Sequence, residues 1–264
     1  MLRNLKSLTG QAIQATDGEL GKVDEFYFDD RTWQIRYLVV ETGNWLSGRK
    51  VLISPAAFKR PGAGPEPFAV ALTKEQVRNS PDIDTEKTVS RQNELNLHEH
   101  YSWPLYWGGG FYGGGVTLGA PVAPAWEKTA EEIAAEKEKE NPHLRGTRSV
   151  TGYSLHAADG RVGHVEDYIT DLGKWIIRYL VADVGLWLPG RKVLISPHWI
   201  EKVAWETSEV FVDLTREAVQ KSPEFDPSQP VSEDYESVLY DHYGRPRLEG
   251  LPEPGGVLPG GNKK

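Results

Sequence analysis

The sequence predicts a mainly β protein built from two small antiparallel β-barrels in tandem, with short helices, the two units pairing as a pseudo-dimer. Three observations carry that prediction. The stretch 33–55, WQIRYLVVETGNWLSGRKVLISP, returns at 175–197 as WIIRYLVADVGLWLPGRKVLISP. The same offset of 142 positions, from Trp33 to Trp175, holds without insertion or deletion from Thr9-Gly10 and Thr151-Gly152 to Pro104 and Pro246. Within the repeated stretch, Trp33, Ile35, Tyr37 and Val39 alternate with Gln34, Arg36, Leu38 and Val40, giving a strand with one core-like face and one mixed face. The repeat is a unit of about 100 residues, the usual size of one domain. Two copies are too few for a solenoid, which needs three or more repeats on a continuous core. Each unit is therefore expected to close its own core, and two like units can dock about a pseudo-twofold axis.

The elements of each unit follow in order. A short apolar segment over 5–15 leads to Asp17-Gly18, a hairpin signal matched by Asp159-Gly160. A strand over about 21–29 follows, with Val23, Phe26 and Phe28 as its apolar content, and a tight turn delivers the chain to the repeated stretch. Ser54-Pro55 and Ser196-Pro197 then open a short helical turn, since Ser caps and Pro suits the first helical position. After a further strand at 67–72 or 209–214, Thr73 and Thr215 cap a short helix that Ser80-Pro81 and Ser222-Pro223 stop. The segments ending Leu97-His98-Glu99-His100-Tyr101-Ser102-Trp103-Pro104 and Leu239-Tyr240-Asp241-His242-Tyr243-Gly244-Arg245-Pro246 carry large aromatics without strand periodicity, and are read as extended arms docked on a barrel. The expected boundaries are 1–104 for the first unit with its arm, 105–143 for a Gly/Pro-rich linker and a charged helix over 126–140, 144–249 for the second unit, and 250–264 for a frayed tail.

Composition narrows the function. With 264 residues, 39% apolar and 26% charged, the chain is ordinary for a soluble globular protein. No apolar run approaches the roughly 20 residues of a membrane helix, and the start MLRNLKSLTG lacks a secretory signal, so a cytoplasmic location is expected. The absence of cysteine removes disulfides, thiolate metal sites and cysteine nucleophiles. A net charge of -8 disfavours direct binding of nucleic acid.

Taken in order, the motifs resemble the PRC-barrel family, the small barrel of the photosynthetic reaction centre H subunit and of a bacterial ribosome-maturation factor. The resemblance rests on Leu8-Thr9-Gly10, Asp17-Gly18-Glu19-Leu20-Gly21-Lys22-Val23, Ile35-Arg36-Tyr37-Leu38-Val39-Val40 and Arg49-Lys50-Val51-Leu52-Ile53-Ser54-Pro55, each matched in the second copy. It implies a compact antiparallel barrel, free-standing and bacterial, that works through protein contacts and carries no catalytic residue.

Several constellations are candidate sites. Trp45 and Trp187 lie in the turns before Arg49 and Arg191, and Trp beside Arg on a loop is the composition of an interface hot spot; it is equally that of a lid on a small barrel. With Tyr101 and Trp103 of the arm, these are the candidate protein-binding residues. Arg36 and Arg178 sit within apolar strands, where a buried charge must be paired, and Asp24 and Glu166, or Glu41 and Asp183, are the expected partners. His98, Glu99 and His100, with Asp241-His242 opposite, admit a metal site across the pseudo-twofold, against a plainer reading as hydrogen-bonded histidines of a docked arm. No nucleophile elbow, phosphate loop, dinucleotide loop or zinc-protease helix is present, and Gly108–Gly115 has no helix to receive a phosphate. The expectation is a non-enzymatic adaptor or scaffold that uses no cofactor and binds a protein partner. Two other readings remain: a sensor of a small molecule, anion or metal held between the barrels by Arg36, Arg178 and the histidine arms, and a structural subunit of a membrane or electron-transport complex.

Overall fold

The computed structural model describes residues 1–59, 68–83, 89–106, 143–185 and 190–246. The linker and charged helix at 107–142, Trp187 and the tail from 247 lie outside them. Among the described residues the protein is mainly β, with two sheets and a few short helices. The first copy runs β1 (Leu2–Asn4), α1 (Leu5–Leu8), β2 (Ala12–Ala15), β3 (Gly18–Asp29), β4 (Ile35–Glu41), β5 (Lys50–Ile53), β6 (Phe68–Ala69), α2 (Lys74–Arg78) and α3 (Arg91–Tyr101). The second runs β7 (Leu144–Gly146), α4 (Thr147–Val150), β8 (Ser154–Ala157), β9 (Gly160–Asp171), β10 (Ile176–Asp183), β11 (Lys192–Ile195), β12 (Ile200–Ala204), β13 (Glu209–Val212), α5 (Arg216–Gln220) and α6 (Glu233–Tyr243).

The sheets follow one plan, in the orders β5-β4-β3-β2-β6 and β11-β10-β9-β8-β13-β12. They are not purely antiparallel as expected: β6 joins β2, and β13 joins β8, in parallel. In the second unit β11 passes through the helical turn Pro197–Trp199 straight into β12, the far edge of the same sheet. Three helical residues span only about 6 Å, so the two edges are brought together and the sheet must curl. No ladder joins β11 to β12 among the described residues, so the ring of strands is not closed by hydrogen bonds.

Local chemistry explains these elements. A Cβ on Gly21 would lie 2.1 Å from the Glu41 carbonyl, and one on Gly163 2.0 Å from that of Asp183, so glycine alone lets β3 and β9 bend against their neighbours. The hairpin residues Asp17 and Asp159 reach across to accept the backbone N–H of Lys74 (2.9 Å) and Arg216 (2.7 Å), fastening α2 and α5 to the β2-β3 and β8-β9 turns. Thr73 forms a full capping box with Gln76, and Ser54 and Ser196 cap their proline-led turns. Trp33 and Trp175 both adopt left-handed backbone, φ 58° and 54°, a costly state for a bulky residue. That conformation ends the turn before the central strand and aims the tryptophan carbonyl away from its own unit.

The arms are helices, which corrects the extended reading. Ser90 and Ser232 cap α3 and α6, and left-handed Ser102 and Gly244 end them. Burial falls on Glu94, Leu97 and His98, and on Leu239 and Tyr240 at the matching places. This is i, i+3, i+4 spacing, a helical period in which Glu and His occupy positions usually held by apolar residues. The apolar segment 5–15 likewise divides into α1 and β2, with β1 ahead of it.

Candidate functional site

The two copies meet in a seam where each completes the other. β1 pairs with β9, Leu2 opposite Asp171, and β7 pairs with β3, Leu144 opposite Asp29. These are the same pairing under the 142-residue offset. Midway, Gln34 bridges Ile176; the Ile35 N–H donates to the Trp175 carbonyl at 2.7 Å, and the Ile177 N–H to the Trp33 carbonyl at 2.8 Å. The left-handed tryptophans thus supply the acceptors that stitch the copies together. The Trp175 ring itself lies against Phe58 and Phe68 of the first copy, at 5.0 and 6.0 Å between centroids.

Charge follows the same symmetry. Asp24 lies between Lys50 of its own copy, at 3.0 Å, and Arg148 of the other; Glu166 lies between Lys192, at 2.7 Å, and Lys6, at 3.2 Å. The Lys6 N–H donates to Asp167 at 3.1 Å and the Arg148 N–H to Glu25 at 2.9 Å, so the first turns of α1 and α4 are each received by the opposite copy's carboxylate. Burial acts to raise Asp24 and Glu166, but hydrogen bonds from Arg148 and Lys50, and from Lys192 and Lys6, prevail and hold both below the usual carboxylate range. For Glu25 and Asp167, burial prevails and pushes them up. A cavity of about 400 Å³ opens here, lined by Lys6, Asp24, Glu25, Arg148, Glu166 and Asp167 with Phe26 and Tyr168 behind them.

The residues singled out in the sequence are placed elsewhere. The Trp45 indole N–H donates to the Leu20 carbonyl at 2.7 Å, and the ring edges a separate cavity of about 440 Å³ with Glu19, Lys22, Glu41 and Asn44. Arg49 clamps the turn after α2, donating to the carbonyls of Ser80 (2.9 Å) and Pro81 (2.7 Å), and Arg191 donates to Ser222 (2.6 Å). Trp103 is buried and stacked on Tyr101 at 4.3 Å. It is a core residue, not an open contact.

Arg36 and Arg178 also need correction, because their partners are not Asp24, Glu166, Glu41 or Asp183. The first two carboxylates belong to the seam, and the Asp183 side chain accepts the Gly185 N–H. Arg36, its side chain 12% exposed, donates to Gln34 (2.8 Å) and Thr32 (3.3 Å), lies 3.9 Å from Asp29 and covers the Tyr106 ring. Arg178 is 3.8 Å from Glu236 of α6. Tyr37 and Tyr179 donate from β4 and β10 to Glu94 (3.1 Å) and Glu236 (2.5 Å). Glu94 is fully buried and also takes Arg91 (3.0 Å) and the Tyr106 hydroxyl (2.5 Å).

His98 and His100 diverge on α3. His98 is packed inward, its Nε2 2.7 Å from the Tyr37 hydroxyl, while His100 reaches the Gln76 carbonyl and His242 repeats that contact at Ala218, both at 2.8 Å. The i and i+2 positions of a helix face apart, so they do not converge on one ion. Among the described residues no group of three or more His, Asp or Glu side chains is arranged to hold a metal, and no helix is long and apolar enough to cross a membrane.

The seam residues were missed because each looks like ordinary surface charge in one copy. Their signal was in the repeat: Lys6 and Arg148, Asp24 and Glu166, Glu25 and Asp167, Lys50 and Lys192 each keep their sign at the offset. No curated protein matches the chain. The model of the PRC-barrel domain matches residues 3–63, from the lent strand β1 through the Ser54-capped turn, and the first copy therefore carries a PRC-barrel domain.

Proposed function

We propose that this chain is a non-enzymatic, cytoplasmic protein-binding scaffold in which two PRC-barrel units are fused, so that one chain contains the pseudo-dimer that two separate chains would otherwise form. The observation that supports this reading most is the reciprocal lending of β1 and β7 across the seam, with its matched charges. Such an arrangement spends the polar residues of the repeat on joining the units, and leaves their outer surfaces for partners. Trp45, half-buried at the edge of its cavity, and Trp187, its counterpart in the sequence at the 142-residue offset, are the expected contacts. The test is capture from native lysate on the immobilised intact protein, beside a folded Trp45→Ala/Trp187→Ala version. A protein retained by the first and lost by the second supports the scaffold; retention by neither counts against it.

One observation favours a second reading, a sensor of a small molecule. The seam cavity is lined by charged residues of both units, so a ligand there would bear on their pairing. Native mass spectrometry of protein purified from its own source, showing only the apo mass, would remove this reading.

A further inference from the structure

The outer face of α6 differs from that of α3 in a way the shared fold does not require. Both helices turn equivalent positions inward, yet opposite that face α6 carries Asp234, Val238 and Asp241, spaced i, i+4, i+7 along one stripe. All three are exposed. Val238 is 56% exposed and one of three large apolar side chains left open among the described residues. The matching positions of α3 are Gln92, Asn96 and Glu99, so the first copy has no apolar group there and less charge. An acidic first turn suits a helix N-terminus, but Asp241 lies in the last turn, where negative charge opposes the helix dipole. Among the described residues, the ion pairs on this side, Arg178–Glu236, Arg191–Glu224, Lys221–Glu217 and Arg245–Asp213, take up neither Asp234 nor Asp241. Tyr235 holds the preceding segment through the Pro223 carbonyl and Phe225 ring, which adds exposed Glu224 and Asp226 near the start of the helix.

We propose that this face of α6 docks a Lys/Arg-rich amphipathic segment of a partner protein, with its cations on Asp234 and Asp241 and an apolar side chain over Val238. The inference rests on the scaffold reading and gives its partner a chemistry. Carboxylates select a cationic segment and set its register, while the apolar centre excludes water between them. Membranes bearing anionic lipid and nucleic acid are disfavoured by the same charges.

The test uses the full-length protein and a synthetic helical peptide with Lys and Leu at i, i+3, i+4 spacing, followed by fluorescence anisotropy. A second peptide replaces every Lys with Glu. The variant Asp234→Gln/Val238→Asn installs the residues the first copy already carries at these positions, and circular dichroism checks its fold. The proposal expects one peptide per chain, an affinity that falls with added salt, about a tenfold loss in the variant, and no binding of the Glu peptide. The reverse change, Gln92→Asp/Asn96→Val on α3, is expected to create a second site. Equal binding by wild type and variant, equal binding of both peptides, or no binding of the Lys peptide overturns the proposal. A lysate partner retained equally by wild type and variant would leave the scaffold standing while removing this surface from it.

Discussion

The seam and the strand–helix contact are built from the same repeated sequence, yet the two copies agree in the charges around the seam cavity and diverge between strand and helix. Around the seam cavity the charges keep their sign at the offset, and Lys6–Glu166–Lys192 mirrors Arg148–Asp24–Lys50, whereas Asp30, which takes Arg145 and His143 across the seam, is matched by Leu172. Between central strand and helix the copies share Tyr37 and Tyr179 with Glu94 and Glu236, then part: His98 is matched by Tyr240, and Arg91 by Glu233. A seam residue must complement the other copy, so a change in one half breaks two equivalent contacts' symmetry. A strand–helix residue answers only to its own unit and can drift, provided that buried polar groups stay paired.

The largest effect that would test this contrast is at the seam tryptophans. Trp175→Ala removes a ring buried against Phe58 and Phe68 of the other copy and should cost about 3 to 5 kcal/mol in chemical denaturation. A loss under about 1 kcal/mol would place the ring outside the packed core.

Next come the two glutamates. Glu94→Ala strips a fully buried carboxylate from two tyrosine hydroxyls and Arg91, and should destabilise by about 3 to 5 kcal/mol. Glu236 is partly open to solvent, its side chain 20% exposed, and its Arg178 contact is long at 3.8 Å; Glu236→Ala should cost about 1 to 2 kcal/mol, close to one charged hydrogen bond. Equal losses would mean that the copies have not diverged in how they hold their helices.

A smaller effect has opposite signs at neighbouring seam residues. The Asp24 carboxyl is held below its unfolded value, so it contributes stability above the usual carboxylate range that is lost as pH falls through its folded value. Asp24→Asn should therefore be less stable than wild type near neutral pH, and the gap should close in acid. Glu25 is pushed above its unfolded value, so its ionisation opposes folding as pH rises through the carboxylate range. Glu25→Gln, which keeps an acceptor for the Arg148 N–H, should improve on wild type as pH rises. Urea midpoints across pH would read both, and same-signed profiles would refute the assignment.

Much of the fold was legible in the residues. The gapless offset gave the duplication, Asp17-Gly18 the hairpin, Thr73 and Ser54-Pro55 the caps, and alternation the central strand, whose second face proved as mixed as its residues suggested. The PRC-barrel resemblance agrees with the domain found over 3–63. What the residues did not disclose was tertiary. The helical period of α3 is written in Glu94, Leu97 and His98, and polar members of a buried stripe are silent until Tyr37 is placed opposite them. Proximity in sequence points Arg36 to Asp24 or Glu41, whereas strand pairing carries Asp24 to the seam and turns Arg36 toward Asp29 and Tyr106. Nothing within one copy announces that β1 pairs in the other sheet, because a lent strand and a retained one have the same alternation.

The central claim is that each unit is completed by the other. Its most direct test is a specific protease site introduced within 107–142 of the intact protein, with cleavage followed by gel filtration and light scattering at falling concentration. The account predicts that the cut halves stay together as one species of unchanged mass, held by β1 on β9 and β7 on β3. Separation into two folded halves of half the mass on cleavage would contradict it.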